Sequence, residues 1–208
     1  MTRTRAIAAS IVAYLALCGT ASSAIQTDPT WPCVQRKVPE LSVAQVWTGP
    51  ELPESADDWD DDPQLRALVD ELAARRNPLE EAQRKIVKFA KSLPKDQANA
   101  KLLHLFRGVF DTLDGQRRQI ISGIARYADK QRELADDLRT ESSKIDAMRA
   151  KSDVDPDDLD RANERLTWET RIFEERVQSL TYVCEVPTII EQRLYGLAKT
   201  IEQSLHKD

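Results

Sequence analysis

The apolar residues between positions 96 and 151 repeat with the spacing of a helix. Steps of four and three residues alternate along this stretch if Arg117, Gln131 and Glu141 fill three vacant positions. This heptad pattern predicts one continuous helix that passes through Gly115 and is about 84 Å long at 1.5 Å per residue. The apolar positions are Phe106, Phe110, Leu113, Ile120, Ile124, Tyr127, Leu134, Leu138, Ile145 and Met148.

A second helix is expected to return along the first. The turn at residues 152–156 ends in Asp-Pro, an N-terminal cap followed by proline at the first helical position. We expect the returning helix to run to about residue 184 and to be broken at Pro187. Antiparallel pairing sets Leu134 opposite Phe173, and the same register continues beyond the proline.

Two shorter amphipathic patterns, at residues 63–76 and at about 78–93, predict two more helices. Four apolar helices therefore meet near residues 102–113, which is enough for a bundle core. Beyond residue 124 only the two long helices remain. The predicted fold is all-α: a small helical bundle, residues 63–208, with a long projecting antiparallel coiled-coil hairpin at about residues 124–183.

Residues 25–62 do not fit a long helix because they contain five prolines. They also contain Trp31, Trp47 and Trp59, which a free polar tail would not retain. We predict an irregular Trp/Pro-rich strap whose indoles cover grooves between the helices. The alternative is a strap that uses the indoles to anchor a partner. Its acidic end, residues 54–62, is typical of a solvated linker.

The first residues have the pattern of a targeting segment. Arginines near the start precede an apolar run at residues 6–17, and small residues Ser22 and Ala24 follow. This pattern predicts a signal peptide at residues 1–24 and a periplasmic or secreted protein, with no stable membrane span after cleavage. The alternative is an uncleaved N-terminal anchor, although the apolar run is short for a bilayer.

Export changes the interpretation of the cysteines. Without residues 1–24 the chain keeps only Cys33 and Cys184. Two cysteines in an oxidising compartment most simply form a disulfide with each other. The alternative, a reactive thiol pair, lacks Cys-x-x-Cys spacing and a neighbouring histidine.

A short stretch of the strap resembles a known group of proteins. It consists of Trp-Pro-Cys-Val-Gln-Arg-Lys-Val-Pro at residues 31–39 and Val-Trp-Thr-Gly-Pro at residues 46–50. It looks like the start of an uncharacterised family of secreted proteobacterial helical proteins. The resemblance is confined to residues 31–50 and implies no activity.

Charge and composition limit the classes of partner. The formal net charge is −5, so nucleic acid is not expected, because phosphates demand clustered Lys and Arg. No nucleophile, base and orienting acid stand in a recognisable pattern, and no phosphate-cradling glycine loop is present. We therefore expect no enzymatic activity and no cofactor.

One acidic cluster near the hairpin turn is a weak candidate for a cation site. Asp153, Asp155 and Asp157 alternate, and Glu164 falls at the twelfth place of a calcium loop. Asp158 replaces the glycine that such a loop needs. Acids that stabilise a helix N-terminus are the simpler explanation, so no metal site is predicted.

These observations predict an exported, non-enzymatic interaction protein, such as an adaptor, scaffold or accessory subunit of the cell envelope. Its protein partner would contact the hairpin arm through Leu134, Leu138, Leu166 and Phe173 or at the acidic tip, and oligomerisation is compatible with this role. One alternative is a periplasmic holdase-type chaperone, which would need exposed apolar patches. A metal-dependent enzyme is a third class, resting only on the acidic residues.

Overall fold

The computed structural model describes residues 28–206, and within this range the fold is all-α with no strand, which confirms the predicted class. The predicted signal peptide, residues 1–24, lies outside the described residues. The helices are α1 (Val43–Val46), a 3-10 helix (Glu54–Asp61), α2 (Pro63–Ala73), α3 (Leu79–Ser92), α4 (Lys95–Arg149) and α5 (Pro156–Ser204).

Helix α4 is continuous through Gly115, as the unbroken heptad pattern predicts. Two of the polar residues that fill vacant seam positions, Arg117 and Gln131, are indeed buried. An aspartate at position 96 would also be a suitable N-terminal cap in the sequence, but the helix begins before it. Pro94 is the N-terminal cap residue, with no side-chain cap, and Asp96 lies in the first turn, where its charge favours the helix dipole.

The prediction that Pro187 breaks the returning helix is wrong. Helix α5 continues through this proline to Ser204. Proline removes one backbone hydrogen bond and costs a helix about 3 kcal/mol. Cys184 before it and Ile190 after it are both buried, so tertiary packing on both sides offsets the local penalty.

Helices α4 and α5 pack against each other in antiparallel directions, since only residues 150–155 connect them. Near the bundle, the Arg117 guanidinium is 2% exposed and its Nε lies 2.5 Å from Glu191 Oε1. At the bundle end, where α4 begins and α5 has just ended, Asn99 Oδ1 accepts a 2.9 Å hydrogen bond from the His206 backbone N–H. Both contacts lie within a few residues of the predicted register. Coiled-coil packing of the two helices stays a prediction.

The hydrophobic core occupies one end of the molecule. It combines α2 and α3 with the N-terminal part of α4 and the C-terminal part of α5. Farther along the hairpin, buried residues such as Ile124, Ile145 and Ala162 come from α4 and α5 alone. The main core residues are Leu65, Val69, Leu72, Ala82, Ile86, Leu102, Leu105, Phe106, Val109, Leu113, Ile190, Leu194, Leu197 and Ile201.

A buried arginine fastens the end of α2 to α5. The Arg193 guanidinium donates 2.8 Å hydrogen bonds to the carbonyl oxygens of Leu72 and Asn77. The Leu72 carbonyl lies in the last turn of α2 and the Asn77 carbonyl lies just beyond the helix, so neither has an N–H of the same helix to bind. Burial lowers the pKa of Arg193. Helix α2 ends at Ala73, three residues earlier than predicted.

The strap packs against the bundle, which confirms the predicted intramolecular role of its tryptophans. The Trp47 indole is 8% exposed and stacks on Phe106 with 4.1 Å between ring centroids. Trp59 packs partly buried on the core and donates a 3.2 Å hydrogen bond to Asp111 Oδ2. The acidic run is not a linker, because it forms the 3-10 helix with Ala56 buried, but its acidic side chains from Glu54 to Asp61 are exposed to solvent as expected.

The close fit of Trp59 explains one of the glycines in α4. A Cβ atom at Gly108 would lie 2.7 Å from both Trp59 Cε3 and Val69 Cγ2, whereas a Cβ at Gly115 would meet nothing within 4 Å. We expect Gly108→Ala to lower the free energy of unfolding by about 2 kcal/mol, because the 3-10 helix must shift. Gly115→Ala should raise it by about 1 kcal/mol.

Urea denaturation of the two variants measures this difference. The two substitutions add the same methyl group to the same helix, so each controls for the other. Stabilisation by Gly108→Ala would contradict the packing of the 3-10 helix against α4.

Candidate functional site

The four residues predicted to contact a partner are half-buried rather than exposed. They are Leu134, Leu138, Leu166 and Phe173. Leu134 lines a shallow groove together with Ile172 of the opposite helix, and Phe173 lines a cleft under the strap. All four are partly covered by the rest of the hairpin, and two of them, Leu134 and Phe173, also line grooves at the surface.

Other apolar side chains of α5 are far more exposed. Trp168 is 62% exposed, Tyr182 78% and Ile189 49%. Spacings of fourteen and seven residues place these three on one face of the helix, since seven residues are nearly two turns. The sequence analysis did not identify this face. Its signal was a series with a seven-residue spacing outside the seam, apolar at Trp168, Tyr182 and Ile189 and interrupted by Glu175.

The strap continues along the base of the arm. The Arg132 guanidinium donates a 2.9 Å hydrogen bond to the Thr30 carbonyl oxygen, and Gln35 Nε2 donates a 2.6 Å bond to Glu185 Oε1. The expectation that only the returning helix remains beyond residue 124 is therefore wrong at the base. The strap covers one side of the hairpin as far as Arg132.

Two further contacts hold the strap in place. Cys33 and Cys184 lie at disulfide distance with their Cα atoms 5.5 Å apart, as predicted for this pair. Asp28 accepts a 2.7 Å hydrogen bond from Lys37 Nζ and another from the Thr30 backbone N–H. Bonds from Lys37 and then Thr30 hold the pKa of Asp28 well below its usual value, so the contribution of this turn to stability falls as the pH drops below the ordinary range of a carboxyl group.

A cleft of about 410 Å³ lies between strap residues 29–35 and the base of the arm. Its apolar lining includes Trp31, Phe173 and Leu180, and the disulfide forms part of the wall. Two glutamines also line it. Gln131 is 7% exposed, and its Oε1 has no hydrogen-bond partner within residues 28–206. The same is true of Gln35 Oε1.

The acidic residues near the hairpin turn serve the helix. Asp155 caps α5 by accepting a 2.9 Å hydrogen bond from the Asp157 backbone N–H. The weak cation candidates Asp153, Asp155, Asp157 and Glu164 are not brought together. Among the described residues, no three His, Cys, Asp or Glu side chains form a group that could hold a metal ion.

Two further findings concern membrane spans and similar proteins. Within residues 28–206, no helix is long and apolar enough to cross a membrane. Comparisons of the chain with protein families, with curated proteins and with solved structures find no match.

Proposed function

We propose that this protein is an exported, non-enzymatic interaction protein of the cell envelope, an adaptor, scaffold or accessory subunit, and that the helical arm binds its protein partner. The observation that carries this proposal is the exposed face of α5, with Trp168 and Tyr182 on the arm and Ile189 just beyond its base. Tryptophan and tyrosine are enriched among the residues that dominate binding energy at protein interfaces.

This face also carries charge. Arg171 and Glu175, whose Nε and Oε1 atoms lie 3.1 Å apart, fall on the same side of the helix between Trp168 and Tyr182. Protein interfaces commonly combine aromatic anchors with polar contacts. No residue between 124 and 183 belongs to the hydrophobic core of the bundle. The length of the arm therefore serves something other than core stability.

A holdase-type chaperone is the second candidate. Six large apolar side chains of α5 are exposed, which is the kind of surface that grips unfolded clients. They are Trp168, Val177, Tyr182, Val183, Ile189 and Tyr195. Suppression of the aggregation of an unrelated unfolded protein would favour the chaperone, and a single specific partner favours the adaptor. No observation favours the third class, a metal-dependent enzyme.

The test is crosslinking in the producing cells, followed by purification and mass spectrometry of captured proteins. We expect Trp168→Ser combined with Tyr182→Ser to lower the recovery of the main partner by at least about tenfold, because hot-spot residues each contribute about 2 kcal/mol or more. The melting temperature should stay unchanged, since both side chains are mostly exposed.

Tyr195→Ser is the matched control. Tyr195 is 59% exposed on the same helix but lies beside the bundle core rather than on the arm. The Tyr195→Ser variant should leave the recovery of the main partner unchanged. Equal capture by the double variant and the native chain would show that this face of the arm is not the binding element. Capture of a broad spread of envelope proteins would favour the chaperone instead.

A further inference from the structure

We propose that the cleft between strap residues 29–35 and the base of the arm binds a small, uncharged, mostly apolar molecule that carries an N–H or O–H group. This site is separate from the aromatic face of α5 and does not depend on the proposed interaction role.

The size and lining of the cleft fit such a ligand. Its volume of about 410 Å³ falls in the range of pockets that hold small organic molecules. Trp31 closes it from the strap side, and Phe173, Val177 and Leu180 line it from α5. Burying apolar atoms against these side chains supplies the affinity.

Two buried acceptors without donors define the polar part of the ligand. Gln131 lies in the seam of α4, yet neither its neighbours nor the strap give its Oε1 a hydrogen bond within the described chain. Gln35 already uses its Nε2 on Glu185, so its Oε1 is left as an acceptor. Buried acceptors without donors destabilise a protein. The terminal torsion of a carboxamide is soft, so a donor that enters the cleft can draw either oxygen towards it.

The charges at the edge of the cleft argue for a neutral ligand. Arg132 donates to the Thr30 carbonyl oxygen and pairs with Asp129. Glu185 accepts from Gln35. Each charged group at the rim is already engaged, so an ionic ligand would have to displace an existing contact. A neutral molecule needs no such exchange.

The probes for this site are N-phenyl-1-naphthylamine and 1-phenylnaphthalene. Both are neutral and aromatic, and only the first carries an N–H donor. With the full chain, we expect saturable binding of one N-phenyl-1-naphthylamine, detected by its fluorescence and by quenching of the tryptophan emission. The donor-free probe should bind about tenfold more weakly, the value expected for one buried hydrogen bond.

Three variants locate the binding. Ala135 lines the cleft, and Ala135→Phe should weaken both probes at least about tenfold by filling it. The matched control is Ala147→Phe, at an exposed alanine of the same helix outside the cleft, which should change neither affinity. Gln131→Leu combined with Gln35→Leu removes both acceptors, so it should abolish the preference for the N–H probe and leave the donor-free probe bound.

Each alternative result overturns a stated part of the proposal. Unchanged binding to Ala135→Phe would place the probe elsewhere and reject the cleft. Equal affinity of the native chain for both probes would reject the donor-bearing ligand class. If Ala135→Phe does not fold, the two-probe comparison on the double glutamine variant decides, and a preference that survives the loss of both glutamines rejects the site. None of these outcomes bears on capture of a protein by the aromatic face of α5.

Discussion

Replacement of Trp47 by alanine is expected to lower the free energy of unfolding by about 4 kcal/mol. The indole is 8% exposed, stacks on Phe106 in the bundle core, and donates a 2.7 Å hydrogen bond to the Pro50 carbonyl oxygen. A Cβ atom at Gly49 would lie 2.4 Å from the indole Cζ2, so the backbone itself closes over the ring. Alanine would leave a cavity that these neighbours cannot fill.

Urea denaturation followed by circular dichroism measures this loss. Trp168→Ala is the matched control, because that indole is 62% exposed and its removal should change stability by less than about 0.5 kcal/mol. Trp47→Phe should lie between the two, since it keeps the stacking and loses the hydrogen bond. Equal stabilities of the Trp47→Ala and Trp168→Ala variants would mean that the strap does not contribute to the folded bundle.

Removal of the bridge between Cys33 and Cys184 is expected to lower the free energy of unfolding by up to about 5 kcal/mol. The two cysteines are 151 positions apart, and a cross-link over so long a loop removes much of the freedom of the unfolded chain. The variant Cys33→Ser with Cys184→Ser shows this loss directly. Reduction of the native chain should produce the same destabilisation.

The bond itself is tested by mass. The exported chain should weigh two hydrogens less than its reduced form, and digestion should yield one linked pair of peptides containing Cys33 and Cys184. An alkylating reagent should modify neither residue in the native protein. Modification of both would contradict the bridge and leave the strap held by its noncovalent contacts alone.

Much of the helical architecture could be predicted because its causes are local. The heptad pattern specifies α4, and an aspartate before proline starts both α2 and α5. The path of the strap could not be predicted in this way. Three tryptophans show that the strap packs somewhere, but the choice of Phe106 for Trp47 and Asp111 for Trp59 depends on the assembled bundle.

Two errors have a common physical origin. Pro187 was expected to break a helix because its local penalty is known, yet contacts more distant in sequence outweigh it. Arg193 drew no attention, because a single arginine in a helix resembles any solvated one until α2 ends beside it. In both cases tertiary packing decides, and a pattern of neighbouring residues does not contain that information.

The two candidate sites differ in how far the sequence alone could have predicted them. The aromatic face of α5 follows from the spacing of Trp168, Tyr182 and Ile189, and a search outside the seam would have found it. The cleft cannot be found this way, because residues 29–35 meet α4 and α5 only after the chain folds back on itself. Gln131 was recognised as a polar seam residue, but its unpartnered oxygen required the structure.

The contacts of the strap also dictate an order of events during synthesis. Gln35 binds Glu185, and Thr48 donates a 2.9 Å hydrogen bond to Glu202, so the first described segment of the chain docks on its last helix. Helices can form locally and early, whereas contacts over such separations are slow because the intervening chain must first close. The strap is therefore synthesised first and docks last. A chain that stops short of residue 202 lacks the contact of Thr48 with Glu202, and its strap rests more heavily on the packing of Trp47 and Trp59 against α4.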